Sequence, residues 1–263
     1  MKILFIGDIM GKAGRKAVKK VLPDWQRKYE PDFVIANGEN LAHGAGITEK
    51  TINEMTEAGV EAFTAGNHIF QNKQGIDVLN NKDTNVVRPA NYPPGAPGVG
   101  WKIFPVRAKK VLVINLIGRV FFKDDYDCPF RIADEVLEEA KKEKPDVIFV
   151  DMHIEASSEA KALGYYLDGR VSAILGTHTH VPSADARILE GGTAYMTDVG
   201  MVGLKDSVLG VKKETVIDQF LSQLSFNFDL EEKGLCEVSG ALIEIDSDGK
   251  AKKIERIYEE VEV

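Results

Sequence analysis

Short apolar runs alternate with amphipathic stretches along most of this 263-residue chain, and this alternation restricts the fold more than any other feature. Runs such as KILFIG (2–7) and FVIAN (33–37) have the length and apolar content of buried β-strands. The stretches that follow them carry apolar residues at the spacing of a helix face. A repeated strand–helix order predicts an α/β fold with a largely parallel central sheet.

The individual elements follow from the same pattern. The predicted strands are 2–7, 33–37, 61–66, 110–118, 146–153 and 171–178, and the predicted helices are 13–29, 48–57, 72–80, 131–143, 156–167 and 212–224. Two antiparallel hairpins are predicted in the last quarter, 186–198 over Gly191-Gly192 and 240–258 turning at Asp248-Gly249. Thr48 is expected to cap its helix. A full capping box is not expected, because Thr51 stands where that motif has an acid or its amide.

The stretch 88–100 is rich in proline and glycine and predicts an ordered surface loop. An interdomain linker is the alternative. Because the composition does not change across this stretch, we expect one domain that spans residues 1–263.

Composition excludes several classes of protein. The net charge of −8 leaves no general basic surface, so duplex DNA or RNA is not an expected partner. The two cysteines, Cys128 and Cys236, are too few for a disulfide framework. No apolar run approaches the length of a membrane span, and the run after Lys2 is too short for the core of a signal peptide. We therefore expect a cytoplasmic protein with no membrane partner.

Polar side chains gather where the predicted strands end. The residues are Asp8, Glu39, Asn40, Asn67, His68, His153, His178 and His180. In α/β sheets, ligands bind at the carboxyl ends of the strands. We therefore expect these side chains to share one edge of the sheet.

Each of these residues alone has an ordinary structural explanation as a turn residue, a helix cap or a hydrogen-bonded core histidine. Together they form a cluster that needs a cation, because no Lys or Arg lies within seven residues of Glu39. Imidazole and carboxylate groups suit Zn, Fe or Mn. The groups exceed the needs of one tetrahedral site, so two ions are predicted. Two-metal sites serve in-line displacement at phosphorus.

A glycine-rich phosphate loop is the rival explanation for GDIMGKAG (7–14). The segment does not fit, because it has three residues between its glycines where a P-loop has four, and Ala13 follows Lys12 where a Ser or Thr is needed. The dinucleotide-binding fingerprint does not fit either. Nucleotide binding by these motifs is not predicted.

The motifs GD, GEN, GNH, H and GTHTH occur in this order over residues 7–181, and this order resembles the calcineurin-like metallophosphoesterases. Two departures from that pattern are Met10, where the family has a histidine, and Glu39, where it has an aspartate. Both departures are similar to the YmdB-like branch of bacterial phosphodiesterases, as are GDIMGKAGR, NGEN, THTHV and DVGM. The resemblance implies a sandwich of two β-sheets flanked by helices.

The resemblance also implies roles for single residues. The implied ligands are Asp8, Asn40 and His180 for a first metal and Asn67, His153 and His178 for a second, with Glu39 bridging both. Asn40 would replace the ligand that Met10 cannot supply. His68 would be the general acid, with orientation of Asn67 as its alternative role. His43 would contact phosphate or cap its own loop, and the roles of Lys12 and Arg15 are left open.

The function implied is hydrolysis of small phosphodiesters, above all 2′,3′-cyclic nucleotides, by in-line attack of a hydroxide that bridges two metal ions. The resemblance favours Fe or Mn, with Zn as the alternative. A regulatory protein that binds metal and nucleotide without much hydrolysis is a second hypothesis, less favoured because every expected ligand position is filled. The substrate is the expected partner, and self-association into a homo-oligomer is left open.

Overall fold

A computed structural model describes residues 1–224 and 230–263 of the chain. In these residues the strands are β1 (Lys2–Ile6), β2 (Asp8–Ile9), β3 (Phe33–Asn37), β4 (Ala62–Thr64), β5 (Trp101–Val106), β6 (Lys109–Ile117), β7 (Val147–His153), β8 (Ala173–Thr177), β9 (Arg187–Ile188), β10 (Ala194–Met196), β11 (Met201–Leu204), β12 (Leu235–Ile245) and β13 (Ala251–Glu262). The α-helices are α1 (Gly11–Tyr29), α2 (Glu49–Glu57), α3 (Lys73–Asn80), α4 (Pro129–Ala140), α5 (Ser157–Leu167) and α6 (Lys213–Ser222), and a 3₁₀ turn, Lys141–Glu143, follows α4.

The strands form two sheets, not one. The first sheet has the order β2-β11-β12-β1-β3-β4, with β13 paired to β12, and the second has the order β5-β6-β7-β8-β10-β9. Both sheets are mixed. In the first, β1 pairs parallel with β3 and antiparallel with β12, and in the second, β6 pairs antiparallel with β5 and parallel with β7. The two-sheet sandwich implied by the resemblance is confirmed. The single, largely parallel sheet was wrong, because local periodicity does not say which strands pair.

The core has three layers that follow from the alternation of side chains along the strands. In β1, Phe5 points between the sheets, where its ring centroid lies 4.9 Å from that of Phe149 in β7. Leu4 lies on the other face of β1 in a cluster with Trp25 of α1. Helices α4 and α5 cover the outer face of the second sheet. The strands are therefore buried on both faces, which explains their continuous apolar runs.

Most predicted elements are confirmed to within a few residues, including both C-terminal hairpins. The exceptions are three strands that were not predicted, β2, β5 and β11. The prediction that the capping box of α2 is incomplete was also wrong. Thr48 Oγ1 accepts a hydrogen bond from the Thr51 amide at 3.2 Å, and Thr51 Oγ1 accepts one from the Thr48 amide at 3.0 Å. A threonine hydroxyl thus closes the box in place of the usual acid.

Within residues 1–224 and 230–263, none of the helices has the length and apolar character needed to span a bilayer. The single domain over residues 1–263 stays a prediction.

Candidate metal centre

The predicted polar residues meet where strands of both sheets end. Asp8 and Glu39 follow β1 and β3 in the first sheet, and Asn67 follows β4. His153 is the last residue of β7, and His178 comes directly after β8 in the second sheet. The site therefore joins the two sheets at one end of the sandwich.

Three side chains converge on the Nε2 atom of His153. This nitrogen lies 3.1 Å from Oε1 of Glu39, 3.1 Å from Oδ1 of Asn67 and 3.0 Å from Nδ1 of His178. A ring nitrogen can offer one proton, so it cannot satisfy three acceptors at once. Glu39, His153 and His178 also form a group able to hold a metal ion. These four residues are the set expected around the second metal.

The electrostatics of this group show its affinity for positive charge. Burial lowers the pKa of His153, but the Glu39 carboxylate, with help from Asp8 and Asp151, outweighs burial and raises this pKa to about 9. Burial raises the pKa of Glu39, but contact with His153 outweighs burial and lowers this pKa to about 2. A protonated imidazole thus supplies the positive charge beside Glu39, a role that a metal cation can take over.

The other two histidines expected to bind metal, His178 and His180, are neutral. Burial, and then the neighbouring His153, lowers the pKa of His178 to about 3. Burial likewise lowers the pKa of His180 to about 4. His180 Nδ1 faces the backbone oxygen of Leu209 at 3.2 Å, which places the proton on Nδ1. Its Nε2 therefore carries a lone pair, the form in which imidazole binds metal.

The residues expected around the first metal are Asp8, Asn40 and His180, and all three are buried. Asp8 Oδ1 and Asn40 Oδ1 are buried without a hydrogen-bond partner in the described part of the chain. Asn40 Nδ2 donates to the backbone oxygen of Gly44 at 2.8 Å, which turns Oδ1 to the opposite side. Burial raises the pKa of Asp8 well above its ordinary range. Unpartnered buried acceptors are costly, and a cation would satisfy them.

Because Gly66 has no side chain, it leaves room for the side chains of His153 and Glu39. A Cβ atom at this position would lie 2.2 Å from Nε2 of His153 and 2.3 Å from Oε2 of Glu39. Because real Cβ atoms do not approach other atoms this closely, a larger residue would displace the ligands. The buried acceptors without partners, the donor types and the space that Gly66 leaves all fit metal binding at this site.

His68 lies at the edge of the group. Its amide donates to Oε2 of Glu39 at 3.1 Å, and Nδ2 of Asn67 lies 3.4 Å from its Nε2. An amide nitrogen can only donate, so in the neutral ring Nε2 of His68 accepts and Nδ1 carries the proton. Nδ1 is buried with no partner within the described residues. Its free N–H suits the expected general acid, and the contact with Asn67 suits the alternative role.

The three residues whose roles the sequence left open have different surroundings. Lys12 pairs with Glu232 at 2.6 Å on the surface. Arg15 pairs with Glu54 at 2.7 Å and also donates to the backbone oxygen of Leu41. Arg15 therefore stabilises the loop that carries Glu39 and Asn40. His43 is exposed, in a left-handed conformation with φ of 54°.

Met10 packs against a loop beside the site. Its side chain is 8% exposed, and a Cβ built on Gly210 would lie 3.0 Å from its Cε. The thioether thus fills apolar space where the wider family has an imidazole. Asn40 remains the nearby residue with an unpartnered oxygen.

Several residues around the expected ligands were not predicted from the sequence. Asp151 and Thr177 are fully buried and connect to His153 by hydrogen bonds. Glu155 Oε2 lies 3.0 Å from Nε2 of His178, and the ring centroid of Phe122 lies 4.8 Å from that of His178. Asp151 and Thr177 could have been found from the alternation of side chains in β7 and from their place beside the histidines in VDMH and GTHTH. Phe122 carries no signal in the sequence.

Comparison with known proteins identifies the family. Residues 4–257 match the family described as YmdB-like protein. The chain belongs to the YmdB-like protein family. A YmdB-like relative from Bacillus subtilis (strain 168), named 2′,3′-cyclic-nucleotide 2′-phosphodiesterase, is 49% identical over 258 residues, which are 98% of this chain and 96% of that protein. The resemblance found in the motifs is thus confirmed.

Solved structures agree with this assignment. A structure described as a novel phosphatase of Mycoplasma pneumoniae has a TM-score of 0.91 and 37% identity, and the match covers 100% of this chain and 94% of that chain. The NAD nucleotidase of Haemophilus influenzae has a TM-score of 0.63 at 15% identity, with 100% of this chain and 56% of that chain covered. The second likeness shows the fold alone.

Proposed function

We propose that this YmdB-like protein is a dinuclear-metal phosphodiesterase that hydrolyses 2′,3′-cyclic nucleotides at the 2′-ester bond. The observation that carries the proposal is the convergence of Glu39, Asn67 and His178 on one nitrogen of His153. The name of the B. subtilis relative supplies the substrate and the bond. The predicted phosphodiesterase activity is confirmed at the level of the family.

The proposed ligands are those implied by the sequence. Asp8, Asn40 and His180 would hold one ion, Asn67, His153 and His178 would hold the other, and Glu39 would serve both. Iron and manganese are the proposed metals, with zinc as the alternative. When bound, such ions supply Lewis acidity that activates water near neutral pH and positive charge for the phosphate oxygens.

His68 is the proposed proton donor. Cleavage of the 2′-ester leaves a ribose alkoxide, which is a poor leaving group unless it receives a proton. The Nδ1–H group of His68 is buried and has no partner among the described residues, so its proton is not committed to the protein. Its backbone amide is fixed by Glu39, which keeps the ring next to the ligands. This placement supports transfer of the Nδ1 proton from the imidazolium form of His68 to the departing 2′-oxygen, which leaves the ring as neutral imidazole.

The proposal is tested with protein reloaded with Mn²⁺ after chelation. We expect two ions per chain by metal analysis and conversion of 2′,3′-cyclic AMP to the 3′-phosphate. Conversion to the 2′-phosphate would contradict the assignment of the bond. Absence of turnover of any phosphodiester by protein with two bound ions would favour the regulatory hypothesis instead.

A pair of variants tests His68 separately from the metal ligands. His68→Ala should keep both ions, lose about 10²-fold in rate on 2′,3′-cyclic AMP and lose much less on bis-p-nitrophenyl phosphate, whose leaving group needs no proton. His178→Ala, as the matched ligand variant, should lose metal and both activities together. Equal losses on the two substrates for His68→Ala, with metals intact, would reassign His68 to orienting Asn67.

The location, the oligomeric state and the role of His43 stay predictions. A cytoplasmic location is consistent with the sequence, and the oligomeric state stays open. His43 stays a candidate for a phosphate contact, since it is exposed on the loop that carries Glu39 and Asn40.

A further inference from the structure

The hydrogen bonds behind His153 have a fixed direction. Nδ1 of His153 lies 2.9 Å from Oγ1 of Thr177, and Thr177 Oγ1 donates its one proton to Oδ1 of Asp151 at 2.8 Å. Because that proton is committed, Thr177 can only accept from His153. Asn37 Nδ2 occupies the other oxygen of Asp151 at 3.0 Å. Nδ1 of His153 therefore carries a proton whether the ring is charged or neutral. When a metal ion takes the place of the Nε2 proton, Nε2 has the lone pair that would face the ion.

We propose that Asp151 and Thr177 are positioning residues that hold His153 in the tautomer able to bind metal. Both side chains are fully buried, so water does not compete with these hydrogen bonds. Both lie on the paired strands β7 and β8, where Thr177 is directly opposite His153. The pair thus acts on metal affinity through His153 without touching the ion. The inference rests on the proposed metal binding.

The other two ligand histidines are oriented differently. His178 Nε2 faces Glu155, whose side chain is 47% exposed, and His180 Nδ1 faces the backbone oxygen of Leu209. Neither histidine is held by a series of hydrogen bonds between buried side chains, as His153 is. Substitutions behind His153 should therefore affect metal binding more than substitution of Glu155.

Asp151→Asn is the sharpest test because it can reverse the direction of the hydrogen bonds that join His153, Thr177 and residue 151. An asparagine can turn its amide nitrogen to Thr177 and its oxygen to Asn37, which satisfies every group in the same space. The Thr177 hydroxyl would then donate to Nδ1 of His153. The imidazole proton would move to Nε2, where it blocks metal binding.

The measurement is the Mn²⁺ dissociation constant of chelator-treated protein by titration calorimetry. We expect Asp151→Asn and Thr177→Val to weaken Mn²⁺ binding by about 10–100-fold, as loss of outer hydrogen bonds to ligand histidines does elsewhere. Thr177→Ser, which keeps the hydroxyl, should restore the affinity. The matched control is Thr193→Val, since Thr193 is a buried threonine in two hydrogen bonds away from the ligands. It should lower the melting temperature and leave Mn²⁺ affinity unchanged.

Unchanged affinity in both Asp151→Asn and Thr177→Val, with wild-type binding intact, would overturn this inference alone. Equal weakening by Thr193→Val would also overturn it, because the effect would then be one of general stability. If Thr177→Val does not fold, the near-isosteric Asp151→Asn decides the matter by the same measurement. Wild-type protein that binds no Mn²⁺ would overturn both this inference and the proposed function.

Discussion

At the scale of the residue, Gly66 shows how closely the proposed metal site is packed. The site has no room for a Cβ atom beside His153 and Glu39. The backbone of Gly66 is not in the left-handed region, so an alanine would be tolerated by the chain itself. We expect Gly66→Ala to move the ligands and lower the rate of phosphodiester hydrolysis by about 100-fold, the effect of misplacing reacting groups by about 1 Å.

The measurement is turnover of bis-p-nitrophenyl phosphate beside metal content. Gly95→Ala serves as control, because no atom of the described residues lies within 4 Å of a Cβ atom built there. This variant should keep its rate, although its φ of 89° makes the substitution slightly unfavourable for stability. A normal rate and normal metal content for Gly66→Ala would show that the ligands adjust freely.

At the scale of the element, helix α2 is joined through Arg15 to the loop that carries Glu39. Its capping box is formed by Thr48 and Thr51. Later in the helix, Glu54 pairs with Arg15, which in turn donates to the backbone of Leu41. We expect Thr48→Ala to lower the free energy of unfolding by about 1 kcal/mol, because one helix amide loses its acceptor.

Urea denaturation measures this change. Thr48→Ser keeps the hydroxyl and should unfold at nearly the wild-type urea concentration. If Thr48→Ala is as stable as Thr48→Ser, the cap does not contribute to stability.

At the scale of the whole molecule, the proposed metal site connects the two sheets. Asp8 and Glu39 come from the first sheet, whereas His153 and His178 come from the second. Ions that bind the folded chain alone stabilise it by mass action. At 100 times the dissociation constant this is about 2.7 kcal/mol, or about 5–10 °C in melting temperature for a chain of this size.

Thermal unfolding of chelator-treated protein with and without Mn²⁺ tests this expectation. Glu39→Gln should reduce the shift strongly, because the amide lacks the charge that the proposed bridge provides. Equal melting temperatures for the wild type with and without Mn²⁺ would contradict a metal site between the sheets.

Much of the molecule follows from the sequence because it depends on neighbours along the chain. The apolar runs located β1, β3, β6, β7 and β8, and the side-chain spacing located the six helices. The turn residues located both hairpins. The placement of Asp8, Glu39, Asn67, His153 and His178 at strand ends followed from the same local pattern. The grouping into metal ligands needed the resemblance to a family as well.

Contacts between distant parts of the chain were decided by the tertiary structure. Strand β12 pairs with β1 across more than 230 residues, and no local pattern shows whether such strands form one sheet or two. The short strand β2 pairs with β11, which is itself held in the sheet by β12. The tautomer of His153 depends on Thr177 and Asp151, since a hydrogen bond has a direction only when both partners are in place. Local periodicity determines which residues a strand or helix contains, whereas packing determines what each of them touches.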